Sequence, residues 1–207
     1  MTSLRSTLVE TLLPKLLIDL PEGNIDPASL FPAPAATLWF EIGFGGGEHL
    51  AEQARQHPDI NFIGCEPYIN GMAALLTAIE QGGLTNVRLY DNDARLVLEK
   101  LPDNSIERLF ILFPDPWPKA RHNKRRIISE PSLALFYKKL KPGGLLRIAT
   151  DHVDYGEWIA GQLAAFAKFK LSESDLYKIP ADWVKTRYQA KAAVEGRKPM
   201  FFNGIKY

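Results

Sequence analysis

The stretch Phe113-Pro114-Asp115-Pro116-Trp117-Pro118-Lys119-Ala120-Arg121-His122-Asn123-Lys124-Arg125-Arg126 sets a carboxylate and an indole among three prolines, then follows them with a basic cluster. Three prolines in five residues restrict the backbone, so Asp115 and Trp117 have little conformational freedom to lose when they are placed. Six of the eight residues 119–126 are basic or histidine. A charge run by itself is usually a solvated face. This one adjoins a carboxylate and an aromatic, which favours a polyanionic substrate held beside a reactive group. On that reading Arg121, Lys124, Arg125 and Arg126 contact phosphates, and Lys185, Arg187 and Lys191 form a second basic patch. Trp117 is more simply a packing residue than a stacking platform.

A second group of residues points to a small ligand. Glu41-Ile42-Gly43-Phe44-Gly45-Gly46-Gly47-Glu48 reads E-x-G-x-G-x-G, with glycines that let the chain turn tightly and bring backbone N–H groups near a ligand. A dinucleotide fingerprint needs glycine or alanine where Glu48 stands. A carboxylate at a nascent helix N-terminus repels a pyrophosphate, which disfavours NAD, and suits a ligand with an amino group or a sulfonium charge. Glu66 lies about twenty residues past the glycine turn, where an acid accepts from both hydroxyls of a ribose. Asp93, with Asn92 beside it, is placed to accept from an adenine amino group. Each acid alone is as readily a helix cap. The glycine turn and the two strand-end acids, one feature per strand in order, describe a nucleoside site built from Gly43, Gly45, Glu66, Asn92 and Asp93.

These residues need a scaffold that brings them to one edge, and the apolar pattern supplies it. Short apolar runs at 37–42, 61–65, 87–90, 109–113 and 145–149 read as strands. Helical patterns near 46–56, 69–81, 94–100, 130–140 and 154–169 alternate with them. The alternation predicts a mostly parallel sheet with helices on both faces, an α/β fold of Rossmann-like type. Ligands bind such sheets beyond the carboxyl ends of the strands, where the candidate residues fall. Lys141-Pro142-Gly143-Gly144 is expected to stop the helix near 130–140 through a left-handed glycine. Residues 1–36 read as a leading amphipathic helix and a proline-rich connector, and 37–207 as one domain.

Composition bounds the function classes. With 207 residues, 46% hydrophobic and 24% charged, the chain suits one folded domain. Cys65 is the single cysteine, which excludes an internal disulfide and suits a reducing cytoplasm. His49, His57, His122 and His152 show no ligand spacing, so no metal is expected. No run reaches the ~20 apolar residues of a membrane helix. The net charge of +1 does not announce a nucleic-acid partner, so any such surface must be local. Monomer and homodimer fit the sequence equally.

On Glu41 to Gly45, Phe113 to Arg126, Ala149-Thr150-Asp151 and Thr186-Arg187-Tyr188-Gln189, the chain resembles the bacterial tRNA (guanine-N7)-methyltransferases over roughly four-fifths of its length. The resemblance implies a class I methyltransferase fold, S-adenosylmethionine as methyl donor, and guanine 46 of the tRNA variable region as acceptor. It implies Glu41, Glu66 and Asp93 as cofactor-binding acids and Asp115 as both catalytic and cofactor-side. It further implies Lys119, Asp151, Thr186, Arg187, Tyr188 and Gln189 as substrate-binding. Two departures stand out: Gln189 replaces the usual glutamate, and the leading segment offers only Arg5 and Lys15 where the family often has a basic arm. Rival readings are a methyltransferase for an exocyclic base amine, a silent RNA-binding relative and, more distantly, a nicotinamide dehydrogenase.

Overall fold

The computed structural model describes residues 2–33, 35–172, 175–184 and 196–207. A seven-stranded sheet runs through it: β1 Leu38–Ile42, β2 Asn61–Cys65, β3 Val87–Tyr90, β4 Ile106–Leu112, β5 Leu140–Thr150, β6 Phe169–Leu171 and β7 Met200–Lys206. Their order is β3-β2-β1-β4-β5-β7-β6. β1 to β5 pair in parallel, and β7 pairs antiparallel with both β5 and β6. The five expected strands are the parallel ones. The antiparallel pair at the edge had no counterpart in the sequence reading.

The helices are α1 Ser3–Thr11, α2 Leu13–Leu16, α3 Glu48–Gln56, α4 Ile69–Gly82, α5 Ala94–Lys100, α6 Glu130–Lys139 and α7 Val153–Phe166. Alternate strand residues face opposite sides of a pleated sheet, so buried strands divide their side chains between two cores. Phe40, Ile63, Leu109, Ile111 and Ile148 meet α5, α6 and α7 on one face. Trp39, Phe62, Leu89, Phe110 and Ala149 meet α1 to α4 on the other.

The expected single leading helix is two, because Pro14 opens a second short helix just after α1 ends. α1 packs on α4. Beyond α2, Leu17 bridges in parallel to Leu89 and Ile18 donates to the Leu89 carbonyl at 2.8 Å, so the leading segment extends the β3 edge. Leu8, Leu13, Leu16, Ile18, Ile25 and Phe31 are all buried. The 141–144 segment acts otherwise than expected: α6 ends at Lys139 with an extended cap residue, Leu140. Leu140 pairs with Ile106 and Leu145 with Arg108, so Pro142, Gly143 and Gly144 bulge out of β5 instead of capping the helix.

Candidate active site

A cavity of about 480 Å³ opens at the carboxyl ends of β1 to β4, and its walls include Gly43, Gly45, Glu66, Asn92, Asp93 and Asp115. Six of the seven residues expected to hold the cofactor are therefore brought together. Glu66 is its best-defined polar group. It is 5% exposed, and its two oxygens accept from the Gly45 N–H at 2.8 Å and the Tyr68 N–H at 3.0 Å. Burial pushes its carboxyl up and the two backbone donors oppose that, while the nearby Asp115 charge adds to the rise. Close approach makes this possible: a Cβ on Gly71 of α4 would lie 2.3 Å from the Gly45 carbonyl oxygen, so only glycine lets α4 meet the loop. Gly43 has φ +68°, and a Cβ there would meet no atom within 4 Å, so the space over this part of the loop stays open.

Asp93 is a helix cap that also lies on the cavity wall. Its side chain caps α5 through the Arg95 N–H at 3.0 Å, and Arg95 also pairs with it at 2.5 Å. The Arg95 guanidinium holds its carboxyl below the ordinary aspartate range. The Asn92 Oδ1 accepts from the Asp93 N–H at 2.8 Å. Cys65 also lines the cavity, and burial pushes its thiol well up, with Asp93 and Glu66 adding to the effect. A thiol so disfavoured from ionising is part of the wall and not a nucleophile.

Glu41 departs from expectation. Ile42 faces the cavity, so alternation turns Glu41 away, and its Oε2 lies 2.7 Å from Nδ1 of the buried His49 in the first turn of α3. Glu41 does not wall the cavity; it seats the helix that follows the glycine turn. Trp183 reaches the same His49 ring at 5.9 Å and the Phe113 ring at 6.3 Å, a contact across the chain that no local pattern announces.

β4 ends at Leu112, one residue before the sequence reading placed it, because Phe113 turns to φ +54°. Trp117 follows at φ +44°. Each non-glycine residue in this left-handed region costs on the order of 1–3 kcal/mol, so the surrounding structure must impose the turn. Asp115 stands exposed on this loop between them, at the cavity mouth. Trp117 lines the cavity as well, with the Arg125 guanidinium 4.8 Å from its ring centroid and His122 edge-on at 5.7 Å.

The basic residues separate into two kinds. Lys119, Arg121, Lys124 and Arg125 are exposed on and before the 3₁₀ turn Ala120–Arg125. Arg126 is not: it is 7% exposed, which corrects its assignment as a phosphate contact. Its Nε donates to the Pro116 carbonyl at 2.9 Å, and its guanidinium lies 5.1 Å and 4.9 Å from the Tyr155 and Trp158 ring centroids. Immediately after the 3₁₀ segment, the chain dives under the loop and takes this side chain with it. Tyr155 is fully buried, and burial pushes its phenol up to about 12.

Asp151 closes β5 and does not wall the first cavity. It pairs with Nε of Arg197 at 2.8 Å beside a second cavity of about 860 Å³, shared with His152, Asp154, Asp175 and Tyr177. Thr186, Arg187, Tyr188 and Gln189, with Lys185 and Lys191, lie outside the described residues. Tyr68 and Arg95, both on the cavity wall, were not anticipated; a tyrosine or arginine two residues past a strand-end acid carries no pattern of its own. Among the described residues no group of three or more His, Cys, Asp or Glu is placed to hold a metal ion. No described helix is long and apolar enough to cross a membrane.

Three carboxylates around one cavity, one of them held by backbone donors, fit a ligand with hydroxyl and amino donors and a positive centre. They do not fit a pyrophosphate. The comparisons with known proteins agree. A family model described as "Putative methyltransferase" matches residues 35–201. Proteins named tRNA (guanine-N(7)-)-methyltransferase from Paramagnetospirillum magneticum and Rhodospirillum rubrum are 47% and 46% identical. They cover 94% and 95% of this chain, and 84% and 80% of their own length. Among solved structures, the 16S rRNA methyltransferase KamB aligns with a TM-score of 0.61 at 18% identity, over 83% of this chain and 88% of its own, which shows a shared fold. The mostly parallel sheet, the acid-lined cavity at its carboxyl edge and these relatives together show that the chain belongs to the tRNA (guanine-N(7)-)-methyltransferase family.

Proposed function

We propose that this protein transfers the methyl group of S-adenosylmethionine to N7 of a guanine in tRNA, at position 46 of the variable region. The observation that carries the reading is the convergence of Glu66, Asp93 and Asp115 on one cavity bordered by an exposed basic turn. Each Glu66 oxygen takes one backbone N–H and keeps lone-pair capacity for the two ribose hydroxyls of the cofactor. On this reading Asn92 and Asp93, which line the cavity, accept from the adenine amino group, and Glu41 serves the cofactor end indirectly through His49. The cofactor supplies an electrophilic methyl on a sulfonium centre, whose charge suits this acid-lined wall.

Guanine N7 carries a lone pair and no proton, so no general base is required and the main contribution is alignment of donor and acceptor. Asp115 accepts from the guanine N1–H and exocyclic amino group and favours the positive charge that methylation leaves on the ring. Lys119, Arg121, Lys124 and Arg125 hold tRNA phosphates, while Asp151 and residues 186–189 complete the substrate side. A tRNA substrate places the activity in the cytoplasm.

The test is incubation with labelled S-adenosylmethionine and unmodified tRNA, with nucleosides analysed by mass spectrometry. The expected product is 7-methylguanosine at position 46. Asp115→Ala should remove at least about 99% of turnover, in line with the loss of an oriented electrostatic contact, and weaken cofactor affinity only modestly. Methylation of an exocyclic amine instead, or normal turnover in Asp115→Ala, overturns the reading.

A further inference from the structure

We infer that Arg126 is a positioning residue that sets the Asp115 loop for methyl transfer, and not one of the residues that hold tRNA. The inference rests on the reading above in one respect, that Asp115 is the group that meets the substrate.

The Arg126 guanidinium is enclosed between the rings of Tyr155 and Trp158, at 5.1 Å and 4.9 Å from their centroids. Both rings belong to α7 and are themselves fixed. Tyr155 is fully buried, and the Trp158 Nε1–H donates to the Ile128 carbonyl at 2.8 Å. From that cage Arg126 reaches back across the loop. Its Nε donates to the Pro116 carbonyl at 2.9 Å and its Nη2 to the Trp117 carbonyl at 3.4 Å. These are the carbonyls of the two residues that follow Asp115.

The loop needs such a hold. Phe113 and Trp117 bracket Asp115 in left-handed backbone that side chains rarely adopt. Pro114, Pro116 and Pro118 have no N–H to donate, so half of the loop's backbone donors are missing and its carbonyls become the available handles. A guanidinium grips two neighbouring carbonyls with a rigid fork and stacks flat between rings; an ammonium does neither. The sequence motif thus contains two functions in adjacent residues. Arg125, exposed over the Trp117 ring, is left to the solvent side, and Arg126 to the inside.

The experiment compares Arg126→Lys and Arg126→Met with Lys124→Gln, measuring kcat and KM for tRNA, tRNA affinity across a salt series, and cofactor affinity by titration. Lys124→Gln should reduce the salt slope of tRNA binding by about one and raise KM for tRNA, as the loss of one phosphate contact does. Arg126→Met should lower kcat roughly 100-fold, the cost of a misplacement near 1 Å, with the salt slope and cofactor affinity unchanged. Arg126→Lys should fall between, since its charge is kept but its fork is lost. A normal kcat with a salt slope reduced by about one would overturn the inference and return Arg126 to the phosphate contacts. If Arg126→Met does not fold, Trp158→Leu removes one wall of the cage: a lower kcat at unchanged salt slope supports the inference, and an unchanged kcat overturns it. A wild type that makes no 7-methylguanosine defeats the functional reading; a wild type that makes it, with Arg126 variants of normal kcat, defeats only this inference.

Discussion

Glu66 concentrates much of the site's chemistry in one side chain. It is nearly enclosed, it accepts from the Gly45 and Tyr68 amides, and each of its oxygens still has a lone pair for the cavity. Glu66→Gln keeps the size but replaces one acceptor with a donor, which must then face an N–H. On binding, the ribose hydroxyl that faces this donor is left without its acceptor, which costs about 1–3 kcal/mol, so the dissociation constant for S-adenosylmethionine should rise about tenfold or more, measured by calorimetric titration. An unchanged constant would remove Glu66 from the cofactor's ligands. The place of Glu66 on the cavity wall was legible because an acid directly after the second strand of such a sheet falls at its carboxyl edge, beside the glycine turn. The direction of the Glu41 side chain was not legible, because which face a strand-end side chain takes depends on where the strand's alternation has arrived, and one residue reverses it.

At the scale of elements, α3 covers only part of its face of the sheet. α1, α2 and α4 share that face, and toward β4 and β5 the chain around 178–183 lies beside it, pinned by Asp182. Its carboxylate pairs with Arg108 of β4 at 2.7 Å and Arg147 of β5 at 2.9 Å, and Gln53 of α3 donates to its carbonyl at 3.2 Å. Trp183 then packs against His49, Phe113 and Phe201. Burial works to raise the Asp182 carboxyl, but the two arginines outweigh it and hold it below the ordinary range. A lowered carboxylate contributes stability that is full above its unfolded pKa and is lost as pH falls through the folded value. Asp182→Asn should therefore lower the unfolding free energy near pH 7, read from denaturant titration, by about 1–3 kcal/mol, toward the low end because Asp182 is partly exposed. The wild type's loss of stability below about pH 4 should be shallower in the variant. Equal acid limbs in the two proteins would show that the pairs are not formed in solution.

Over the whole molecule, a net charge of +1 hides a segregated distribution. Glu66, Asp93 and Asp115 gather at the cavity, where Arg95 pairs with Asp93 and Arg125 adjoins the wall, while Lys119, Arg121 and Lys124 are exposed on the adjoining turn. A small cationic ligand and a polyanionic one are thus drawn to neighbouring regions by opposite fields. Reversing charge at two exposed positions, Arg121→Glu with Lys124→Glu, should weaken tRNA binding at least about tenfold at low salt. It should also flatten the dependence of log affinity on log salt by about two. Cofactor affinity should stay as it was. Binding to tRNA that ignores both the substitutions and the salt would mean that this turn is only solvated surface.

The sequence alone determined the parallel strands, the helices between them, and the strand-end positions at which chemistry had to sit. These follow from local hydrophobic period and from residues adjacent in the chain. It also determined the acids, the proline-held loop and its basic run, since residue type and spacing define them. Only the tertiary structure decided which side of each element meets the cavity. Glu41 went to His49, and Asp151 to Arg197 at a second cavity. Arg126 went inward to Tyr155 and Trp158, although its neighbour Arg125 stayed out. It also decided the edge of the sheet, where β6 has only three residues and gains its order from pairing with β7, far along the chain. In each case the deciding partner lies many residues away, and a charge or short apolar run reads the same locally whether that partner is solvent, a carbonyl or an aromatic ring.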